Sequence, residues 1–274
     1  LFAPTGSMAN QLGLRLHVRP GAELVCDAQA HVVRAELGAA AALSGITTRT
    51  WDAPRGLLDA DQVAAFVRPD QGPHLVSTTA IAVENTHNFG GGTVQSLQAL
   101  TTVHEMAHGV GIAVHFDGAR LWNAHVATGV PMHEYGRVAD TVSVCLSKGL
   151  GAPIGSVLTG PADKIAEARV WRKRVGGGMR QVGVLAAAGH YALDHHIERL
   201  ADDHARAKRL ALGIAEAVDG VVQPEYVDTN IVVLSLTATE WTASGLATAA
   251  RDQGVIISVL GPKVARLVTH LDVD

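Results

Sequence analysis

The sequence predicts an α/β fold: a mostly parallel sheet covered by helices on both faces, with a smaller C-terminal α+β domain. Two patterns and one bulk property predict it. Short β-rich runs ending in turn residues alternate with helical patterns over the first part of the chain, the order that builds parallel sheets. From Gly183 the order changes to one long helical stretch followed by short strand-like runs. The 274 residues, 47% of them hydrophobic, can bury a real core as one large domain or two smaller ones. The expected division is residues 1–198 for the large domain and 199–274 for the small one.

The elements follow in order. "PTGS" leads into a helix over Met8–Val18, with Ser7 placed to cap its start. "ELVCD" reads as a strand, and helical patterns cover Ala30–Ala42 and Asp59–Val67. "HLVSTTAIAVENT" is the next strand-like run. In the helix over Leu97–His108, the residues Leu97, Leu100, Val103, Ala107 and Val110 recur near a 3.6-residue period and mark its buried face. "GIAVHFD", "TVSVCLS" and "SVLTG" are strand-like, and Asp163–Arg174 is helical. The long helical stretch runs from Gly183 to Ala217. "NIVVLSL", a helix over Thr242–Arg251, "VIISVL" and "ARLVTHLD" complete the chain.

Composition excludes several classes. No apolar run approaches the length of a membrane span, and no secretory pattern is present. The net charge of −4 comes without a basic block, so no nucleic-acid partner is expected. Cys26 and Cys145 lie in apolar runs and read as buried free thiols in a reducing cytoplasm. Aromatic residues are only 4%, so the core is aliphatic.

One motif invites a metal reading. His104, Glu105 and His108 in "VHEMAHGVGIAVHFDGAR" spell the zinc-peptidase pattern H-E-x-x-H. Gly111 fits the longer version, but its third histidine belongs at 114, which is Val, and His115 is out of register. The periodicity puts Glu105 and His108 on or beside the wetter helix face. A solvated helix face is therefore expected, and no metal ligand is assigned.

A second constellation is spread over several strand ends. "HFDGAR" closes one strand with Asp117, and "CLSKGLGAPIGS" follows another with Lys148. Open α/β sheets bind ligands at the carboxyl ends of their strands. A lysine and an acid placed there suit pyridoxal phosphate: an amine for its aldehyde, a carboxylate for its pyridine nitrogen. Glycines beside Lys148 let a bulky group approach the backbone. Gly6 and Ser7 at a helix start offer an anion site. His31, shortly after "ELVCD", is placed to lie on a pyridine ring. Taken singly, each residue also has a structural reading: a surface ion pair, an ordinary cap, a satisfied histidine.

With "FAPTGSMAN", "DAQAH", "VENTHNFGGG", "HFDGARLWNA", "SVCLSKGLGAPIGS", "WRKRVGGGMRQ" and "RLVTHLDV" in order, essentially the whole chain resembles the low-specificity L-threonine aldolases. These belong to the fold type I, aspartate-aminotransferase-like group of pyridoxal-phosphate enzymes. The resemblance implies that Lys148 carries the cofactor aldehyde, Asp117 faces the pyridine nitrogen and His31 stacks on the ring. Gly6 and Ser7 resemble the phosphate loop. Lys173 and Arg180 resemble basic residues lent to the phosphate by a neighbouring subunit. Arg120, beside the cofactor, and Arg266 resemble the arginines that hold the substrate carboxylate, and His74 the histidine near the substrate hydroxyl. In this family the H-E-M-A-H region is simply the helix before the "DGAR" strand.

The implied activity is cleavage of L-threonine or L-allo-threonine to glycine and acetaldehyde, with the reverse addition. Alternatives are a related lyase for other β-hydroxy amino acids such as phenylserine, or an inactive fragment of the fold. A small-molecule substrate, no membrane, and a cytoplasmic homotetramer built as a dimer of dimers with shared active sites are expected. The family pattern also has an upstream segment, with an R-S-D-T-like serine, and a further C-terminal helix; the sequence is expected to be either an incomplete view of such a chain or a true truncation of it.

Overall fold

A computed structural model describes residues 1–273. Seven strands form the main sheet: β1 (Phe2–Ala3), β2 (Glu23–Asp27), β3 (Thr47–Trp51), β4 (Thr78–Glu84), β5 (Ala113–Gly118), β6 (Thr141–Cys145) and β7 (Ser156–Thr159). Their spatial order is β1-β7-β6-β5-β4-β2-β3. Pairing from β3 through β2, β4 and β5 to β6 is parallel, and β7 is antiparallel to both of its neighbours. The carboxyl ends of β2, β4, β5 and β6 therefore lie side by side along one edge.

Alternation along β4 explains the layering. Ile81 and Val83 join one core with Val25, Phe116 and the helix residues Leu100 and Val103; Ala80 and Ala82 join another with Leu14, Leu24 and Cys26. Successive strand residues face opposite sides, so both faces of the sheet are dry and covered by helices. The helix Gly6–His17 lies on the second face, across β4 to β7. Burying each large aliphatic side chain here stabilises the fold by roughly 1.5–3 kcal/mol.

A second sheet follows: β8 (Ile231–Ser235), β9 (Ser258–Gly261) and β10 (Val264–Val268), antiparallel in the order β8-β10-β9. Ala207 and Ala211 of the helix Leu200–Ala217 pack with Val232, Leu234 and Ala265 into a core of their own. No helix among the described residues is long and apolar enough to cross a membrane.

Several expected elements differ. The helix expected over Ala30–Ala42 is two helices, His31–Arg34 and Ala39–Ser44. Leu37 and Gly38 between them have positive φ of 52° and 72°, a left-handed turn that breaks the helix and turns Glu36 inward. The long stretch Gly183–Ala217 breaks likewise, into Gly183–His195 and Leu200–Ala217, where His196 Nδ1 meets the Leu150 carbonyl at 2.6 Å. Thr5, not Ser7, caps the first helix: its hydroxyl accepts the Met8 N–H at 3.1 Å. Val110, expected on a buried face, follows the end of its helix and is exposed. "VIISVL" becomes a strand only from Ser258, with Ile256 exposed before it.

Candidate active site

Four adjacent parallel strands deliver one functional group each at their carboxyl ends. His31 follows β2, Glu84 ends β4, Asp117 lies near the end of β5, and Lys148 follows β6. Glu84 and Asp117 are register partners across β4 and β5. Asp117 is buried; its Oδ1 accepts the Ala119 N–H at 3.0 Å and its Oδ2 accepts from Asn10 Nδ2 at 2.7 Å. A carboxylate has about four lone-pair sites, so acceptor capacity remains for a further donor.

Asn10 also donates to Glu36 Oε1 at 2.9 Å, and Glu36 accepts from Gln11 at 2.7 Å and from His31 Nδ1 at 2.9 Å. A continuous network thus runs Asp117–Asn10–Glu36–His31, in which the Glu36 side chain is fully buried. Since Glu36 is an acceptor, Nδ1 of His31 carries the proton and Nε2 is the free nitrogen. The His31 pKa is raised above the ordinary imidazole value: the Glu36 hydrogen bond raises it, burial lowers it, and the Asp117 charge raises it again. The field of Lys148 also reaches this ring and lowers its pKa in turn.

Glu84 holds the backbone at His31 and at Asn88. Its carboxylate accepts the His31 N–H at 2.7 Å and the Asn88 N–H at 2.8 Å. Burial pushes its pKa up. Beyond it, Asn88 Oδ1 accepts from two guanidinium groups, Arg120 at 2.9 Å and Arg266 at 2.8 Å. Burial lowers the pKa of both arginines, and the charge of Arg266 lowers that of Arg120 further. Arg266 also keeps a buried Nε with no partner among the described residues. Two desolvated cations converging on one neutral oxygen form a site that wants an anion.

The helix start supplies a second anion site. The first N–H groups of a helix have no intrahelical partner, so those of Gly6 and Ser7 are free to meet a phosphate. Gly6 is required for the close approach: a Cβ there would stand 2.9 Å from Cys145 Sγ, at the end of β6. The loop carrying Gly177 packs on Met8, where an added Cβ would clash with Sδ. Exposed Lys173, in the last turn of the helix Ala162–Arg174, and exposed Arg180 flank this loop. Buried acid, lysine, helix start and paired arginines along one sheet edge form a donor set that fits pyridoxal phosphate with an amino-acid substrate.

The beta-eliminating lyase family profile matches residues 1–237. The low-specificity L-threonine aldolase of Escherichia coli (strain K12) is 40% identical over 275 aligned residues, covering 100% of this chain and 79% of that one. That of Arabidopsis thaliana is 37% identical, covering 98% and 76%. This chain belongs to the beta-eliminating lyases, among the low-specificity L-threonine aldolases. The fold agrees. The Leishmania major threonine aldolase structure superposes with a TM-score of 0.82 at 19% identity, over 100% of this chain and 79% of that one. A mutant Thermus thermophilus aspartate aminotransferase gives 0.72 at 18%, over 98% and 74%.

For a lyase of this family, the chain brings together His31, Asp117, Arg120, Lys148 and Arg266 around one edge, with Gly6 and Ser7 beside it. It does not bring His74. That residue ends the short turn Gly72–His74, exposed, at the amino end of β4, about 20 Å of strand away from Glu84. The reason is chain direction: a residue before a parallel strand stands at the edge opposite to one after it. Sequence reading missed Asn10, Glu36, Glu84 and Asn88. "VENTHN" contained two of them and "FAPTGSMAN" a third as matching motifs without a role, whereas nothing local marked Glu36.

Proposed function

We propose that this chain uses pyridoxal phosphate to cleave L-threonine and L-allo-threonine to glycine and acetaldehyde, and to catalyse the reverse addition. Lys148 would hold the cofactor's aldehyde, Asp117 would face its ring nitrogen, His31 would lie on its ring, and the helix start at Gly6 and Ser7 would take its phosphate. When bound, the cofactor supplies a protonated ring that takes up the electrons released at the substrate α-carbon. The convergence of Arg120 and Arg266 on Asn88 carries the reading: it is a preformed carboxylate clamp beside the lysine. The clamp would fix the rotation of the substrate about its α-carbon and so select which of its bonds is broken. Nε2 of His31, left free by the Glu36 bond, accepts the β-hydroxyl proton directly or through a water.

The sites are shared between copies in this reading. His74, Lys173 and Arg180 are exposed, and His74 lies too far from its own Lys148. A second copy supplies His74 near the hydroxyl, and Lys173 and Arg180 to the phosphate, within a homotetramer. The free buried Cys26 and Cys145 suit a cytoplasmic setting.

Release of glycine from L-threonine and L-allo-threonine, with and without added pyridoxal phosphate, tests this. Turnover should require the cofactor, and borohydride reduction should fix the cofactor to the peptide containing Lys148. Trapping on Lys164 or Lys173, or no glycine from either substrate, would overturn it.

A further inference from the structure

The H-E-x-x-H helix ends far from the site just described, and the structure supplies what its sequence lacked. His104 and His108 stand one turn apart with ring centroids 4.0 Å apart. Asp140, on the segment leading into β6, brings its carboxylate to His108 Nε2 at 3.1 and 3.2 Å. One ligand-type atom from each of the three residues lies within 4.8 Å of the others. Position 114, where the peptidase motif would place its third histidine, contributes its backbone instead: the Val114 N–H donates to Asp140 Oδ2 at 2.7 Å.

We propose that His104, His108 and Asp140 form a binding site for a divalent transition-metal cation, zinc being the reference case. Two imidazoles and a carboxylate are the donor set zinc takes, at about 2.0–2.2 Å each. Ligands at those distances around a tetrahedral ion are separated by little more than 3 Å, and the Nε2–Oδ2 pair already has that spacing. The second half of such a site is the hydrogen bond that orients the carboxylate, and Val114 provides it. On binding, the metal takes the place of the direct His108–Asp140 contact.

The site is a clamp and lies away from the reaction centre. Asp140 immediately precedes β6 and Lys148 follows it, so the two are separated by the length of a five-residue strand, about 16 Å. A bound ion ties the end of the helix Leu97–Gly109 to the amino edges of β5 and β6, where His108 and Asp140 are otherwise partly open to solvent, 46% and 27% exposed. It stabilises the folded chain because only that state holds the three ligands together.

The test uses untagged holoenzyme dialysed against a chelator. Titration with zinc chloride by calorimetry should show one equivalent bound per chain, with a rise in Tm at saturating zinc. His104→Ala and His108→Ala should each weaken binding by at least about 100-fold, more than a lost outer partner alone costs. Asp140→Asn should do the same while its amide oxygen still accepts the Val114 N–H, and circular dichroism checks that fold. Threonine cleavage in the histidine variants should stay at the wild-type rate. Absence of saturable zinc binding in the wild type would overturn the proposal, as would a zinc equivalent retained in the His104→Ala/His108→Ala double variant.

Discussion

Arg120 and Arg266 donate to the same atom, Asn88 Oδ1, at 2.9 and 2.8 Å. Two partly buried cations that share a neutral acceptor repel one another until an anion arrives, so in the proposed reading the pair is matched to the substrate carboxylate more than to the empty site. Arg120→Lys removes the planar fork while keeping charge, and should lower kcat/KM for L-threonine by roughly 10²-fold or more, the cost of truncating a buried charge contact. Arg266→Lys should behave alike. Steady-state glycine release measures it; wild-type kcat/KM in both variants would remove the clamp.

Asn88→Ala tests the same relationship from the other side. It frees both guanidinium groups to drift apart, without touching the cofactor's own contacts. KM should rise while the visible spectrum of bound cofactor is retained. Loss of the spectrum together with activity would mean that Asn88 holds the fold and not the clamp.

The Glu36–His31 bond predicts a pH dependence. The folded-state pKa of His31 lies above its ordinary value, first through Glu36. That bond therefore stabilises the folded chain below the ordinary imidazole range, and the contribution is lost as pH rises through the raised value. If free Nε2 takes the β-hydroxyl proton, kcat/KM must rise with pH through the same value. Glu36→Gln keeps an acceptor but removes the charge, and should move that acid limb to lower pH. An unmoved limb in a variant with normal cofactor occupancy would detach His31 from the proton transfer.

Gly6→Ala should weaken cofactor binding. Its Cβ would come 2.9 Å from Cys145 Sγ, forcing the helix start away from β6. Overpacking of this kind costs roughly 1–3 kcal/mol, and 1.4 kcal/mol is tenfold in affinity. Equilibrium dialysis of pyridoxal phosphate against both proteins decides; equal affinity would place the phosphate elsewhere.

Shared sites predict complementation. Lys148→Ala copies and His74→Ala copies are each deficient, but a mixed assembly contains some sites with both residues intact. Activity should reappear on mixing after mild dissociation and reassociation. If nothing is regained, His74 has no part in a neighbour's site.

Much of this was legible in the chain because strands and helices alternate and because Asp117 and Lys148 each follow an apolar run. The parallel order brings the ends of such runs together regardless of how far apart they lie in sequence. What was hidden has a common cause. Asn10 sits on the buried face of a helix, and Glu36 is turned inward by the left-handed turn at Leu37 and Gly38. Both are defined by partners across the fold, Asp117 and His31, and no local pattern encodes a partner. His74 stands at the opposite edge because its neighbours in sequence lead into β4 at that strand's amino end.

The helix Gly6–His17 carries the start proposed to take the cofactor's phosphate and, one turn later, Asn10, which grips Asp117, the acid proposed to face its ring nitrogen. It therefore works as a gauge block set between the two ends of one small molecule. Four residues at 1.5 Å each fix that interval near 6 Å, and each residue turns the helix by about 100°. Inserting or deleting a single residue between Gly6 and Asn10 would change the length only slightly, yet would swing Asn10 away from Asp117.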